Sequence, residues 1–259
     1  MGVSLGVTTS LKATADVHAV ARARAAAWGF PFVDRRERSM AELHESADAF
    51  LIFANTGLTI ATLHGRLRPS LSTAEIRLRS IARGDGDPLQ RAGELEPGDV
   101  VVDCTYGLGR DGAIAATIIG IEGSITGIEA SDALFHMAAE NPPLASLQVT
   151  TPLHPPAIVE LVHADAREWL AKARPSSADV VLIDPMFKTP KTSDATFALL
   201  RSVASDVPLD AAWVEAAKRV ARRWVVVKSG TRPAWFSDVG LQPVHSHGNA
   251  RWYRVAPGN

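Results

Sequence analysis

The sequence predicts an α/β fold in which a mostly parallel sheet is completed by an antiparallel hairpin. From residue 97 onward, short runs rich in β-branched residues alternate with helical segments. These runs occupy residues 100–104, 124–129, 158–164, 179–184 and 224–228. Because strands that helices cover on both faces are apolar throughout, this pattern is typical of a parallel sheet. The runs 241–247 and 250–256 flank Gly248-Asn249, a pair that favours a tight turn, and they predict the closing hairpin.

The first 95 residues have a different pattern, which predicts a small α+β subdomain. The expected elements are a helix over 11–28, a short helix opened by a Ser39–Glu42 capping box, a hairpin of the runs 49–54 and 58–64, and a helix between Ser72 and Gly84. No β-α-β unit is expected here. We therefore predict two domains, 1–95 with a role in substrate recognition and 96–259 with the ligand site.

Two connections in the second part are unusually long. Residues 143–157 are rich in proline, and residues 185–208 follow the fourth strand. Since most connections in compact domains have about 4–6 residues, we expect these two to serve function.

Composition restricts the class of protein. Of the 259 residues 46% are hydrophobic, and Cys104 is the single cysteine, which excludes a disulfide framework or a multi-thiolate zinc site. No run approaches the roughly 18 apolar residues that cross a bilayer, and Lys12 and Asp16 interrupt any signal-peptide pattern. We therefore expect a soluble, cytoplasmic protein without a membrane partner.

Charge is unevenly distributed, although the formal net charge is −1. Residues 1–95 carry 12 Lys and Arg against 10 Asp and Glu, whereas residues 96–259 carry 15 against 18. The basic excess is compatible with a nucleic-acid partner. It is also compatible with ordinary solvated faces, the commoner case.

Acidic residues follow four of the predicted strands. They are Asp103, Glu129, Asp165 and Asp184. In an open α/β sheet, ligands bind outside the carboxyl ends of the strands, and an acid after the second strand commonly holds ribose hydroxyls. Glu129 and Asp165 each have a simpler interpretation as helix-capping acids. Four acids at four strand ends together predict a cofactor that contains a nucleoside.

The turn after the first strand narrows the choice of cofactor. Gly107, Gly109 and Gly112 have the spacing of a dinucleotide-binding turn, although a plain tight turn is an alternative. Asp103 and Asp111 flank these glycines and would repel a pyrophosphate. The turn therefore suits a cationic or zwitterionic ligand, and we predict S-adenosylmethionine, held in part by Asp103, Gly107 and Gly109.

Five motifs together resemble those of class I S-adenosylmethionine-dependent methyltransferases. They are VVDCTYGLGRDG (101–112), GIEAS (127–131), LVHADA (161–166), IDPMF (183–187) and VVVKSG (225–230). More narrowly, most of 96–256 resembles the small-subunit ribosomal RNA guanine-N2 methyltransferases of the RsmJ type. This resemblance implies a Rossmann-like class I methyltransferase fold with a seven-stranded, mostly parallel sheet, and it makes 96–259 the S-adenosylmethionine-binding domain.

The resemblance also implies where the cofactor is bound. The implied contacts are Arg110, Asp111, Glu129, Ala130, Asp165, Ala166 and Asp184. Among them, Glu129 would hold the ribose and Asp165 would meet the adenine amine. The sequence departs from the well-known branch at Asp165, where serine is usual, and at Lys188, where proline is usual.

The tetrad at 184–187 resembles the Asp/Asn-Pro-Pro-aromatic motif of amino-group methyltransferases. Asp184 and the Pro185 carbonyl would accept hydrogen bonds from the target amine, and Phe187 would stack on the base or, alternatively, cover the sheet end as a hydrophobic plug. Lys188 and Lys228 are predicted to contact the substrate, with pairing to a nearby acid as the alternative for Lys228.

We therefore predict methylation of a guanine exocyclic amine in ribosomal RNA, with the small ribosomal subunit or its RNA as the partner. The alternatives are a methyltransferase for a small molecule or protein, and a non-catalytic RNA-binding module with a vestigial cofactor site. No metal is expected, because His245 and His247 lack a third ligand.

Overall fold

The computed structural model describes residues 3–36, 38–69, 72–142, 155–185, 195–205, 207–247 and 250–258. Its strands are β1 (Leu5–Thr9), β2 (Ala49–Ala54), β3 (Gly57–Thr62), β4 (Gly65–Leu67), β5 (Val100–Asp103), β6 (Ser124–Glu129), β7 (Ile158–His163), β8 (Ala178–Ile183), β9 (Ala221–Ser229), β10 (Gln242–His247) and β11 (Ala250–Val255). Its helices are α1 (Ala15–Trp28), α2 (Met40–His44), α3 (Ser72–Ala82), α4 (Pro88–Gly93), α5 (Arg110–Ile119), α6 (Asp132–Glu140), α7 (Ala166–Lys172), α8 (Ala195–Val203), α9 (Ala211–Val220) and α10 (Trp235–Asp238).

The chain forms two compact units that interleave along the sequence. The first unit takes its described residues from 1–70, 131–141 and 189–205, and the second takes them from 71–130, 142–188 and 206–259. These units are defined by contacts in space. The boundary at residue 95 is drawn from sequence pattern, and it stays a prediction.

The first unit has a four-stranded sheet in the order β1-β2-β3-β4. The β2–β3 hairpin and the Ser39–Glu42 capping box are confirmed. β1 runs parallel to β2, with α1 and α2 between them, so the expectation that this part has no β-α-β unit is wrong. β1 is only five residues long and its partner begins 40 residues later, which leaves little local signal for the pairing.

Helices α6 and α8 also belong to the first unit. The Ser131 hydroxyl, at the start of α6, donates to the Val203 carbonyl at the end of α8 over 2.6 Å. The His136 ring of α6 stacks on the Trp28 ring of α1 with centroids 4.1 Å apart. Helix α8 lies inside the stretch 185–208, which the sequence had suggested only as a long connection.

The second unit has a seven-stranded sheet in the order β10-β11-β9-β8-β5-β6-β7. Strands β7, β6, β5, β8 and β9 are parallel, and β11 and β10 are antiparallel. The predicted mixed sheet and its closing hairpin are thus confirmed, while the turn residues 248 and 249 lie outside the described residues. The strand order reverses between β5 and β8, where such sheets bind ligands.

Alternating residues of the central strands build the core on both faces of this sheet. Val101 and Val180 pack with residues of α3, α4 and α5. Val102 and Val181 pack with residues of α7, α9 and α10. Since side chains of a strand alternate between its faces, the continuous apolar runs are explained by helices on both sides. Within the described ranges, no helix has the length and apolar character needed to span a membrane.

Candidate active site

The carboxyl ends of β5 and β8 bring Asp103 and Asp184 to one edge of the sheet. Asp103 ends β5, and Asp184 directly follows β8. Thr105 joins the two: its hydroxyl accepts a hydrogen bond from the Asp184 backbone N–H over 2.7 Å, and its own N–H donates to the Asp103 carboxylate over 3.0 Å. Hydrogen bonds through Thr105 therefore hold Asp103 and Asp184 near each other.

The glycine turn lies between β5 and α5. Gly107 and Gly109 have φ values of 54° and 70°, a left-handed conformation that glycine adopts without strain. Gly109 caps α5, and no side chain accepts a hydrogen bond there. The first backbone N–H groups of α5 are thus not satisfied by a capping side chain, as a ligand-binding turn requires.

Gly112 has a packing role in this turn. A Cβ atom at Gly112 would lie 2.6 Å from Cε2 of Tyr106, and a Cβ atom at Gly127 would overlap the same ring. Tyr106 is buried. Both glycines therefore leave room for Tyr106, and close approach to a ligand is not needed to explain the third glycine of the pattern.

Glu129 ends β6 and turns toward the glycine turn. Its carboxylate accepts a hydrogen bond from the Gly107 N–H over 2.7 Å, and the residue is buried. Helix α6 is capped by Ser131, whose hydroxyl accepts from the Leu134 N–H over 3.3 Å. The helix-cap interpretation of Glu129 is therefore wrong, and its position next to the turn is compatible with ribose binding.

Asp165 caps α7. Its carboxylate accepts from the Arg167 N–H over 2.8 Å and pairs with the Arg167 guanidinium at 3.3 Å. These contacts agree with the capping alternative. Ala166, the first residue of α7, is buried in the core, and Ala164 donates its N–H to the Glu129 carbonyl over 3.1 Å.

A cluster of opposite charges surrounds Asp184. We call it the active-site ion cluster, and its members are Arg77, Asp87, Asp111, Asp184 and Lys228. The Lys228 ammonium lies 2.6 Å from Asp184 and 3.1 Å from Asp111. Arg77 pairs with Asp111 and, over 2.8 Å, with Asp87. The pairing alternative for Lys228 thus describes its observed contacts, and Asp111 is compensated by two cations.

The cluster determines the charge states at the sheet edge. Burial raises the pKa of Asp103 to about 7, and the charges of Asp111, Asp184 and Glu129 act in the same direction. Burial also raises the pKa of Asp184, against the opposing effect of Lys228. The pKa of Lys228 is raised despite burial, because two carboxylates hold its proton. Lys228 therefore stays charged.

These observations test whether the edge fits S-adenosylmethionine. The charges of Asp111, Asp184 and Glu129 all act on the Asp103 carboxyl group. The Asp103 carboxyl, with its pKa near 7, has no ion-pair partner among the described residues. Carboxyl groups gathered beside a glycine turn suit a ligand with a sulfonium and an ammonium, so the residues fit the group.

The remaining residues predicted from the sequence are found as follows. Phe187 and Lys188 are outside the described residues, whereas Pro185 is described and follows Asp184 directly. Arg110 is the first residue of α5. Cys104 is buried in the core, where burial raises the pKa of its thiol.

Four residues of the site were not predicted from the sequence: Arg77, Asp87, Thr105 and Tyr106. Arg77 lies on α3, 34 residues before Asp111, and no local pattern links the two. Thr105 and Tyr106 lie inside the quoted turn motif, and the pair Gly112 and Gly127 was the one available signal for a ring packed between them. In the part of the chain that the structure describes, no three His, Cys, Asp or Glu side chains are grouped so as to hold a metal ion.

Comparison with known proteins shows the family to which the chain belongs. A family model described as "Putative SAM-dependent methyltransferase" matches residues 39–252. The Bacillus subtilis protein YpiP is 30% identical over 250 residues, covering 91% of this chain and 92% of that protein. The ribosomal RNA small subunit methyltransferase J of Laribacter hongkongensis is 36% identical over 160 residues, and the match covers 58% of this chain and about half, 54%, of that protein.

A solved structure shows the same fold. The S-adenosylmethionine-dependent methyltransferase of Neisseria gonorrhoeae superposes with a TM-score of 0.56 at 17% identity, and the match covers 97% of this chain and 96% of that one. The predicted fold, a mostly parallel seven-stranded sheet with an antiparallel hairpin, is confirmed.

Proposed function

The chain belongs to the family of S-adenosylmethionine-dependent methyltransferases, and from that premise we propose that it methylates the exocyclic N2 amine of a guanine in small-subunit ribosomal RNA. The observation that carries this proposal is the placement of Asp184. One of its carboxylate oxygens is held by Lys228, while about a third of the side chain, 32%, is exposed at the sheet edge. The names of the relatives that act on ribosomal RNA support the substrate.

The cofactor would be held by the turn and the neighbouring strand ends. We propose that Glu129 holds the ribose, that Gly107, Gly109 and Arg110 enclose the methionine part with Asp103 and Asp111, and that Asp165 meets the adenine amine between Ala130 and Ala166. S-adenosylmethionine supplies an electrophilic methyl group on a sulfonium, so catalysis depends mainly on alignment of the attacking atom.

The target amine needs activation because its lone pair is delocalised into the base. We propose that the Asp184 oxygen that Lys228 does not hold and the Pro185 carbonyl each accept a hydrogen bond from one N–H of the target amine. These hydrogen bonds would localise the lone pair on the amine nitrogen. An ionised carboxylate accepts hydrogen bonds only, so Asp184 serves this role when it is charged. The same oxygen then takes the proton that the amine loses.

The base must leave its stack to reach this position. We propose that Phe187 stacks on the extruded guanine and that Lys188 contacts the neighbouring backbone. Lys228 is already held by Asp184 and Asp111, so we assign it to positioning Asp184 rather than to a substrate phosphate.

Tritium transfer from labelled S-adenosylmethionine tests the proposal. We expect the wild-type protein to label small ribosomal subunits or their RNA, and digestion to nucleosides to place the label on N2-methylguanosine. Asp184→Ala should reduce transfer by at least 100-fold, while S-adenosylhomocysteine binding stays measurable by calorimetry. Asp179→Asn is the matched control, because Asp179 lies on β8, the strand that Asp184 follows, and pairs with Arg222.

Each alternative predicts a different result. Label that enters only protein or small metabolites would contradict the RNA substrate. Cofactor binding without any transfer would favour a non-catalytic module. Wild-type turnover by Asp184→Ala would remove Asp184 from the mechanism.

A further inference from the structure

Arg35, in the first unit, is a charged side chain in a buried position. The residue is 9% exposed, and its Nε atom has no hydrogen-bond partner. No carboxylate among the described residues forms an ion pair with it. Arginine is rarely buried unless it is paired, because an isolated charge loses its hydration.

The backbone holds Arg35 in this position from both sides. Before it, the Val33 N–H donates to the Val7 carbonyl over 2.8 Å, and the Thr8 hydroxyl donates to the Val33 carbonyl over 2.7 Å. After it, the Ser39–Glu42 capping box starts α2. Hydrogen bonds therefore fix the chain at Val33 and at Ser39, on either side of Arg35.

The neighbouring acid is already engaged. Asp34 pairs with Arg36 at 3.4 Å and with Arg22 at 3.6 Å. Hydrogen bonds and charge from Arg36, together with the charge of Arg22, lower the pKa of Asp34. Asp34 thus compensates other cations, and no acid in the described part of the chain forms an ion pair with Arg35.

Arg66 is a second cation, and its charge acts on Arg35. On β4 it lies opposite Ala61 of β3, which in turn lies opposite Phe50 of β2. Residues opposite each other share a face of the sheet. Val33, two residues before Arg35, packs against the buried cluster that contains Phe50 and Ala61. Burial and the Arg66 charge both lower the pKa of Arg35.

We propose that Arg35 and Arg66 form a phosphate-binding site, and that its ligand is a backbone phosphate of the RNA substrate. This inference rests on the proposed function. A guanidinium presents a fork of donors that matches phosphate oxygens, and a phosphate would supply both the missing hydrogen-bond partner and the missing negative charge. Phosphate contacts position a nucleic acid without reading its sequence.

Arg35→Met tests the site, with Arg36→Met as the matched control. Arg36 is the adjacent residue, and its side chain is exposed. Filter binding of a small-subunit ribosomal RNA transcript should show a 5- to 20-fold loss of affinity for Arg35→Met near 0.1 M salt and little change for the control. The slope of log affinity against log salt should fall in magnitude by about 0.7 to 0.9, the value of one phosphate contact.

Thermal unfolding gives an independent readout. Arg35→Met should raise the melting temperature of the free protein, because it removes an unpaired buried charge. Inorganic phosphate should raise the melting temperature of the wild type more than chloride at equal ionic strength, and it should have no such effect on Arg35→Met.

Other results would overturn the inference in distinct ways. A lower melting temperature with unchanged RNA affinity would make Arg35 a structural residue. Stabilisation by inorganic phosphate with unchanged RNA affinity would make the ligand a free phosphate and not RNA. If the wild type labels RNA while both variants bind it alike, the site is wrong and the proposed function stands. If the wild type labels no RNA, the phosphate site and the proposed function are both contradicted.

Discussion

At the scale of the residue, Lys228 shows how one cation controls two carboxylates. Its ammonium contacts Asp184 and Asp111, and it lies 5.1 Å from the centre of the Trp252 ring. Without it, Asp184 would face the charge of Asp111 uncompensated on this side, and its pKa would rise further.

We therefore expect Lys228→Met to reduce kcat at pH 7 by about 10- to 100-fold, less than the roughly 10²- to 10⁴-fold that a general base contributes, because Asp184 itself is still present. The acid limb of the kcat profile should move to higher pH, because Asp184 must lose its proton to accept hydrogen bonds. Lys228→Arg should restore much of the profile. The control is Lys218→Met, since Lys218 pairs with Glu215 on α9. An unshifted profile in Lys228→Met would contradict the positioning role.

At the scale of the element, Tyr106 links the glycine turn to β6. Its ring occupies the space that side chains at Gly112 and Gly127 would need. We expect Gly127→Ala to lower the free energy of unfolding by about 1–3 kcal/mol, as overpacking of a core usually does, in urea titrations.

A double-mutant cycle isolates the cause. In a Tyr106→Val background the added methyl group meets empty space, so the cost of Gly127→Ala should shrink markedly. An undiminished cost in that background would place the strain in the strand itself and not against Tyr106.

At the scale of the whole molecule, Asp103 couples stability to pH. Its pKa is about 7 in the folded protein and near 3.8 in an unfolded chain. The folded state therefore holds a proton that the unfolded state has lost between these values, and stability falls as pH rises through 7. Asp103→Asn stays neutral, so its advantage over the wild type should grow with pH and approach about 4 kcal/mol above pH 8.

Urea unfolding between pH 4 and pH 8 measures this difference. Asp179→Asn should differ from the wild type by a nearly constant amount above about pH 5, because Arg222 lowers the pKa of Asp179 and its carboxylate is then charged in both the folded and the unfolded state. Parallel curves for the wild type and Asp103→Asn would show that Asp103 is ionised in the folded state.

The predictable part of the fold lies in its local patterns. The runs that became β5, β6, β8 and β9 were readable because a strand buried on both faces carries an unbroken apolar sequence. β1 was not predicted, because a strand of five residues shows little periodicity. The capping box at Ser39 was readable from two residues, since both of its partners lie within one helical turn.

The candidate site was also predictable only where its residues follow local sequence patterns. The acids at the ends of β5, β6 and β8 could be placed together, because the carboxyl ends of parallel strands meet at one edge. The sequence did not predict which cation would form an ion pair with each of these acids. Whether Glu129 would cap a helix or receive the Gly107 N–H depends on how a turn folds over a neighbouring strand.

The sequence by itself determined the fold class, the strand ends that carry acids and the glycine turn, since these depend on periodicity, apolar runs and backbone freedom. Only the tertiary structure decided the charge partners. Arg77 meets Asp111 across 34 residues, and Lys228 meets Asp184 across 44. Coulomb attraction and desolvation act through distance in space, and that distance exists only once the sheet has placed its strands side by side.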